Sequence, residues 1–264
     1  MTQITQTLPR KLSLRLPLSA LKAHIIFLTA VLGLWEWGAT QGWIDRALFG
    51  SPLGIAHFLW DGFFVSARIW KDLGWTAAAT AIAFILGSAA ALFIGLIFVT
   101  LPRFEKFISP YLSAFNAMPR IALAPLFLLW FGLGIGSKIA VGFSLTFFIV
   151  LSSTTAGVRG VATDWVTLSR TLGASPARIF CSVTLPSAIP VIFSGLRLGL
   201  IYALLGVVGC EIIASEHGLG QQVSYLGSTF NMDGVLGLLL VLALLGLGVT
   251  AFMDALEKRL LSWQ

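Results

Sequence analysis

Ionisable side chains inside apolar segments are the residues here best placed to do chemistry. A charge held at membrane depth is costly, so its presence invites a functional reading. Arg197 lies within an apolar run over 189–213, and Glu211 sits near the far end of that run. Arg120 follows Pro119 within a third apolar stretch, 111–134. An arginine facing a water-filled path could meet an anionic solute as it passes. The plainer alternative is that Arg197 and Arg120 reach toward headgroups, or pair with backbone carbonyls that hold the packing. Both readings stay open on sequence alone. Glu36, at the end of the first apolar run, reads as interfacial.

Other chemistries find no support. The run Gly132-Leu133-Gly134-Ile135-Gly136-Ser137-Lys138 lacks the four residues that a phosphate loop places between its first glycine and Gly-Lys. It reads as a tight turn between two spans, so any ATP hydrolysis must occur on a partner. His24, His57 and His217 have no carboxylate or cysteine at ligand spacing, so no metal site is expected, and no cofactor is implied. No serine, histidine and acid arrangement suggests a hydrolase. Cys181 and Cys210 fall on opposite sides of the membrane in the topology below, and no disulfide is expected between them.

The elements that carry these residues follow from composition. A hydrophobic fraction of 57%, 11% charged residues and a mean hydropathy of +0.92 point to an all-α polytopic membrane protein. The net charge of +6 is therefore read by position, as membrane orientation, and no nucleic-acid partner is inferred. Six spans give the best parse: 24–43, 73–100, 111–134, 138–158, 189–213 and 234–256. The third is the one most open to re-entering, because Pro119 and Pro125 interrupt it. Residues 1–72 hold a basic tail, the first span and a segment over 51–64 expected along the outer surface; residues 73–264 form the core. The apolar stretch after the tail is too long for a signal-peptide core, and the start reads as uncleaved.

Basic residues set the orientation. Arg10, Lys11, Arg15 and Lys22 lie in the N-terminal tail, Arg103 and Lys106 follow the second span, and Lys258 and Arg259 follow the sixth. The loop between the last two spans carries Glu216 and Asp233 but no lysine or arginine. Both termini are expected in the cytoplasm of a bacterial inner membrane, with Trp43, Trp70, Trp75 and Trp130 at the outer interface. Small residues four apart, at Gly87, Ala91 and Gly95 and at Gly195, Gly199 and Ala203, would let helices approach closely.

The polar interruption over 164–190 reads as two short helices joined by a tight turn. Asp164 can cap the first, whose Trp165, Leu168 and Leu172 share one face. Gly173 stands where a left-handed residue would end that helix. Ser175 and Pro176 restart a helix, and Leu185-Pro186 with Pro190 end it. A helix-turn-helix outside the bilayer is a docking knob.

These residues resemble the cytoplasmic signature loop of bacterial ABC-importer permeases, in which Glu-Ala-Ala, three residues, Gly, nine residues, Ile, one residue and Leu-Pro follow in order. Gly173, Val183 and Leu185-Pro186 keep that spacing, while Thr167-Leu168-Ser169 replaces Glu-Ala-Ala. Leu172-Gly173-Ala174-Ser175, Gly195-Leu196-Arg197, Trp130-Phe131-Gly132 and Gly218-Leu219-Gly220 are similar to the nitrate, sulfonate, taurine and bicarbonate branch. The resemblance covers roughly residues 73–263, and it places a coupling loop at about 160–188. It implies a permease that breaks no bond itself and moves a small anionic solute inward by alternating access. It also implies ATP-binding cassette ATPase subunits, a periplasmic substrate-binding protein and a second copy of the chain, all working within membrane lipid. By the same resemblance, Thr167, Leu168, Ser169, Leu172, Gly173, Ala174, Ser175, Leu185 and Pro186 are the ATPase-coupling residues. A permease for a small heterocyclic compound and an ion-coupled secondary transporter are the alternatives; the latter would need mid-membrane acids or paired halves, which the chain lacks.

Overall fold

The computed structural model describes residues 18–260, with side chains from Lys22 onward, and every regular element among them is helical. Five helices are long and apolar enough to cross a membrane, or six if one sharply bent pair counts as a span. They are α1 (Leu18–Thr40), α4 (Arg68–Thr100), α7 (Ile135–Arg159), α10 (Leu185–Ile213) and α12 (Met232–Leu260), and the bent pair is α5 (Pro102–Ala117) with α6. Shorter helices fill the connections: α2 (Arg46–Phe49), α3 (Pro52–Trp60), α6 (Ala124–Phe131), α8 (Thr163–Thr171), α9 (Pro176–Ile179) and α11 (Leu219–Ser228).

The third expected span is broken. Its two parts, Pro102–Ala117 and Arg120–Phe131, meet at 85°. Pro119 supplies the cause: it cannot donate to the helix ladder, and it pushes Met118 into an extended conformation at φ −72°, ψ 139°. A single turn of 3-10 helix, Arg120–Leu123, then leads into α6, where Pro125 sits in the first turn.

Helix α7 is the centre of the bundle, with α4 on one side and α10 on the other. Small residues permit this. A β-carbon at Gly142 would lie 2.8 Å from Ala83 Cβ and 3.2 Å from the Ala203 carbonyl, so all three backbones converge there. The two expected rows of small residues both face α7: Gly87 and Gly95 abut Thr146 and Thr154, while Gly195 and Gly199 abut Ser153 and Val150. Thr146 joins two helices, donating to the carbonyls of Gly142 at 2.9 Å and Gly199 at 3.1 Å.

Polar contacts mark out the two ends of this bundle. At one end Ser51 N–H donates to Asp233 at 2.6 Å and Leu53 N–H to Glu36 at 3.0 Å, tying α3 to α12 and α1. Trp75 stacks on His217 at the same end, with ring centroids 5.4 Å apart. The segment 51–64 is thus helix α3 and a π turn over Asp61–Val65, and α3 is fastened to the bundle. At the other end Arg159 pairs with Glu105, and α8 and α9 project. Helix α4 starts five residues before the expected span, at Arg68 rather than 73. Asp72 is buried there, its carboxylate accepting from Gly218 N–H and from Gln222.

Candidate functional site

The projecting knob is built by local rules. Helix α8 closes with Gly173 at φ +80°, the left-handed region open to glycine at little cost. The Ala174 N–H reaches the Ser169 carbonyl at 3.0 Å, and the Gly173 N–H reaches that of Arg170 at 3.0 Å. This pair of reversed bonds satisfies two carbonyls that the helix end would otherwise strand. Ser175 then caps α9, its hydroxyl accepting from Arg178 N–H at 3.4 Å, with Pro176 in the first turn.

Two sequence expectations about this segment need correction. Ala162, not Asp164, occupies the cap position of α8, and no side chain bonds the free amides there. Asp164 lies in the first turn instead, where its charge still faces the positive helix end. Leu185-Pro186 and Pro190 do not end the second helix either: residues Pro176–Ile213 form one helical run of 38 residues. A wide π-type turn over Phe180–Thr184 absorbs the fault, since Leu185 N–H reaches back five residues to Phe180 just before Pro186, which has no donor.

What the knob presents outward is apolar. Trp165, Leu168 and Leu172 share one face of α8 and are 66%, 59% and 79% exposed. The knob's own small core is Ile179, which is buried. Thr167 and Ser169 take the place of acid and alanine, and each hydroxyl is turned back to its own helix, Thr167 to the Thr163 carbonyl and Ser169 to that of Trp165, both at 2.8 Å. No carboxylate stands at that position of the knob.

Three ionisable residues inside the spans occupy three separate places. Arg197 pairs with Asp254 at 2.8 Å and with Glu257, joining α10 to the knob-end turn of α12. Its charge is matched twice. Glu211 is fully buried near the opposite end, in an ion pair with Lys138 at 3.2 Å. Thr76 Oγ1 donates to the same carboxylate at 2.9 Å and accepts the Leu219 N–H, while Gly220 N–H donates to Glu211 at 3.0 Å. Lys138 also donates to the His217 carbonyl, and Asp72 accepts from Gly218 N–H at 3.0 Å and Gln222 at 2.7 Å. This network pins the start of α11 to α4, α7 and α10.

Arg120 differs from both. It donates to the Asn116 carbonyl at 3.1 Å and to the Asn116 side chain, and its guanidinium lies over the Phe148 ring at 4.5 Å. Among the described residues it has no carboxylate partner, and its Nε, like that of Arg197, is buried without an acceptor.

Sequence reasoning missed Lys138, Thr76 and Asp72. Lys138 was visible as a lysine at the head of an apolar span, but the glycines before it drew the reading toward a turn.

A family model described as "Binding-protein-dependent transport system inner membrane component" matches residues 83–262. The formylaminopyrimidine transport permease protein ThiX of Halalkalibacterium halodurans is 33% identical over 246 residues, 93% of this chain and 96% of its own. The taurine transport system permease protein TauC of Escherichia coli is 32% identical over 263 residues, 96% of this chain and 94% of its own. An inward-facing structure of the MetNI methionine ABC transporter superposes with a TM-score of 0.61 at 22% identity, covering 70% of this chain and 92% of that one.

Proposed function

Because the chain belongs to the family of binding-protein-dependent transport system inner membrane components, and is thus a membrane permease of the ABC-importer kind, we propose that it carries a small anionic solute from periplasm to cytoplasm. In this reading it sits in the bacterial inner membrane with both termini inside. Separate ATPase subunits hydrolyse ATP, an outside binding protein delivers the solute, and two copies of the chain form the path.

The observation that carries this reading is the knob's bare face. Trp165, Leu168 and Leu172 lie outside the spans and are covered by nothing among the described residues. An exposed apolar stripe of this kind marks a protein contact. A groove on the ATPase surface is its fitting occupant. Pro176–Ile213 then acts as a lever, since knob and span share one helical run of 38 residues through the π turn. Closing the ATPase pair would shift the knob, and α10 would carry that shift along α7 and, through Arg197, to α12. ATP thereby biases two global states that differ in free energy.

Relatives of nearly equal identity carry the names of taurine and of a formylaminopyrimidine, so overall likeness does not select the solute. The anionic reading rests on the unmatched charge of Arg120. A heterocyclic solute is the second reading, supported by the pyrimidine permease.

Leu172→Glu tests the docking face. The side chain is exposed, so stability should change by no more than about 0.5 kcal/mol. Co-purification of the ATPase should fall several-fold at unchanged accumulation in the membrane; unaltered co-purification would remove the knob from the contact. Native Cys181 and an introduced Ser228→Cys test the orientation. Both sites are exposed, one on the knob side and one at the end of α11. A membrane-impermeant thiol reagent added to spheroplasts should label the second and spare the first, and the reverse pattern would invert the topology.

A further inference from the structure

Two polar stripes face each other across a groove between α5 and α7. Ser109, Ser113 and Asn116 are spaced by four and three residues along α5, and Ser152, Thr155 and Arg159 by three and four along α7. Such spacings keep each set on one helix face, and all six side chains line one groove of about 230 Å³. Glu105 and Arg159 close it with an ion pair at the knob end. Asn116 and Phe148 line its other end, and these are the two residues that hold Arg120.

A groove of hydroxyls and an amide between spans is poorly suited to lipid tails, which offer no hydrogen bonds. The far side of the bundle shows the contrast: a cleft between α4, α10 and α12 is walled by Ala77, Phe84, Leu200, Leu245 and Phe252. The bundle therefore has one side suited to lipid and one suited to water.

Charge narrows what the wet side would take. Glu105 and Arg159 cancel each other, whereas Arg120 has no counter-ion among the described residues and keeps an unused buried donor. The groove thus has one unmatched positive charge beside its far end and a row of serine hydroxyls that can donate. A solute with a single negative charge and an oxygen-rich head fits that arrangement, and a cation does not.

We infer that the α5–α7 groove is the solute's route through the knob-side half of the permease, and that Arg120 is the residue that receives the anionic head. Arg120 sits where Pro119 breaks the span, and its guanidinium rests against Asn116 and Phe148, two residues that line the groove's far end. Its contact with Phe148 holds it there before any solute arrives. The inference rests on the permease reading, but the groove's charge preference is measurable without a transported solute or an ATPase.

The test places Ser152→Cys in a Cys181→Ser background, with the full chain in lipid nanodiscs. Reaction rates with a sulfonate-bearing and a trimethylammonium-bearing methanethiosulfonate are compared, each relative to 2-mercaptoethanol. Ser152 lies one helical turn from Phe148, so a unit charge at Arg120 should favour the anionic reagent about threefold at low salt. Raising the salt should shrink that preference. Arg120→Gln should abolish it, and Arg120→Lys should retain it. An unreactive Ser152→Cys, a ratio equal to that of the small thiol, or a ratio that survives Arg120→Gln would each overturn the proposal. Should Arg120→Gln fail to accumulate, the ratio and its salt dependence with Arg120 intact decide the matter. Loss of ATPase co-purification in Leu172→Glu stands apart from every one of these outcomes.

Discussion

Replacing Lys138 with methionine is expected to lower the apparent melting temperature of the detergent-solubilised chain by about 10 °C. Lys138 is 2% exposed and Glu211 is fully buried, so removing the lysine leaves a carboxylate with no cation and no water. Breaking a buried pair from one side costs about 3–5 kcal/mol, far above the worth of a surface pair. The Thr76 and Gly220 donors would soften the loss, but they do not replace a charge. Glu211→Gln should be damaging too, because it strands the ammonium beside the His217 carbonyl. The double variant Lys138→Met with Glu211→Gln is expected to regain much of the loss, since neither charge then remains. Melting curves of the two single variants and the double would settle it. Simple additivity would show that the two residues act separately and that the ion pair is incidental.

The consequence reaches past stability. Glu211 and Thr76 together hold the Leu219 and Gly220 amides, and Asp72 holds that of Gly218. The connection from α10 to α11 is therefore bonded at three successive amides, two of them to α4 through Asp72 and Thr76 and the third to Glu211 of α10. That end of the bundle is built as a block. Departures from regular helix lie at the 85° bend beside Pro119, at the π turn below α10, and at the π turn Asp61–Val65 ahead of α4. The π turn below α10 lies between the knob and the spans, where a motion driven from the knob would be expressed.

How much of this was legible in the sequence depends on the range of each interaction. The spans were readable because hydropathy is a local property, and all six expected cores fall within helices or within the bent pair. Gly173, Ser175 and Pro176 were readable because their conformations are set by their own backbones. Pro119 announced a break but not its angle, which depends on how α6 packs against α7. The buried pair was not readable. Lys138 and Glu211 are 73 residues apart, and only the packing of α7 on α10 brings them together. Arg197 shows the same limit: as a lone charge in an apolar run it looked available, yet its partners lie on α12, with Glu257 60 residues away. Of the three charges marked from sequence, the one with the least conspicuous setting, Arg120, keeps an unmatched charge. The polar stripes on α5 and α7 carried a helical spacing that could have been found. They escaped notice because single serines in apolar helices are common, and only the facing of two stripes gives them meaning.

Gly173→Val is expected to leave insertion and accumulation near normal while removing most of the coupling to the ATPase. Gly173 sits at φ +80°, and a β-carbon built there meets nothing within 4 Å. The substitution therefore meets no steric wall from the surrounding protein, and its whole cost lies in the backbone. A left-handed conformation costs a residue with a β-carbon about 1 kcal/mol or more, and a β-branched residue pays more still. The spans do not share that cost, since α7 and α10 pack on each other without the turn. The turn itself relaxes by giving up the two reversed bonds from Gly173 and Ala174, and α8 then swings relative to α9. Trp165, Leu168 and Leu172 would no longer stand at their present angle to the lever that begins at Pro176. A graded series separates this cause from a loss of packing. Gly173→Asn, which tolerates the left-handed region, should keep near-native ATPase co-purification. Gly173→Ala should lie between, and Gly173→Val should fall furthest, in the order of backbone cost and not of side-chain size. Tight ATPase binding by Gly173→Val, or equal losses in Asn and Val, would show that the left-handed turn does not set the docking geometry.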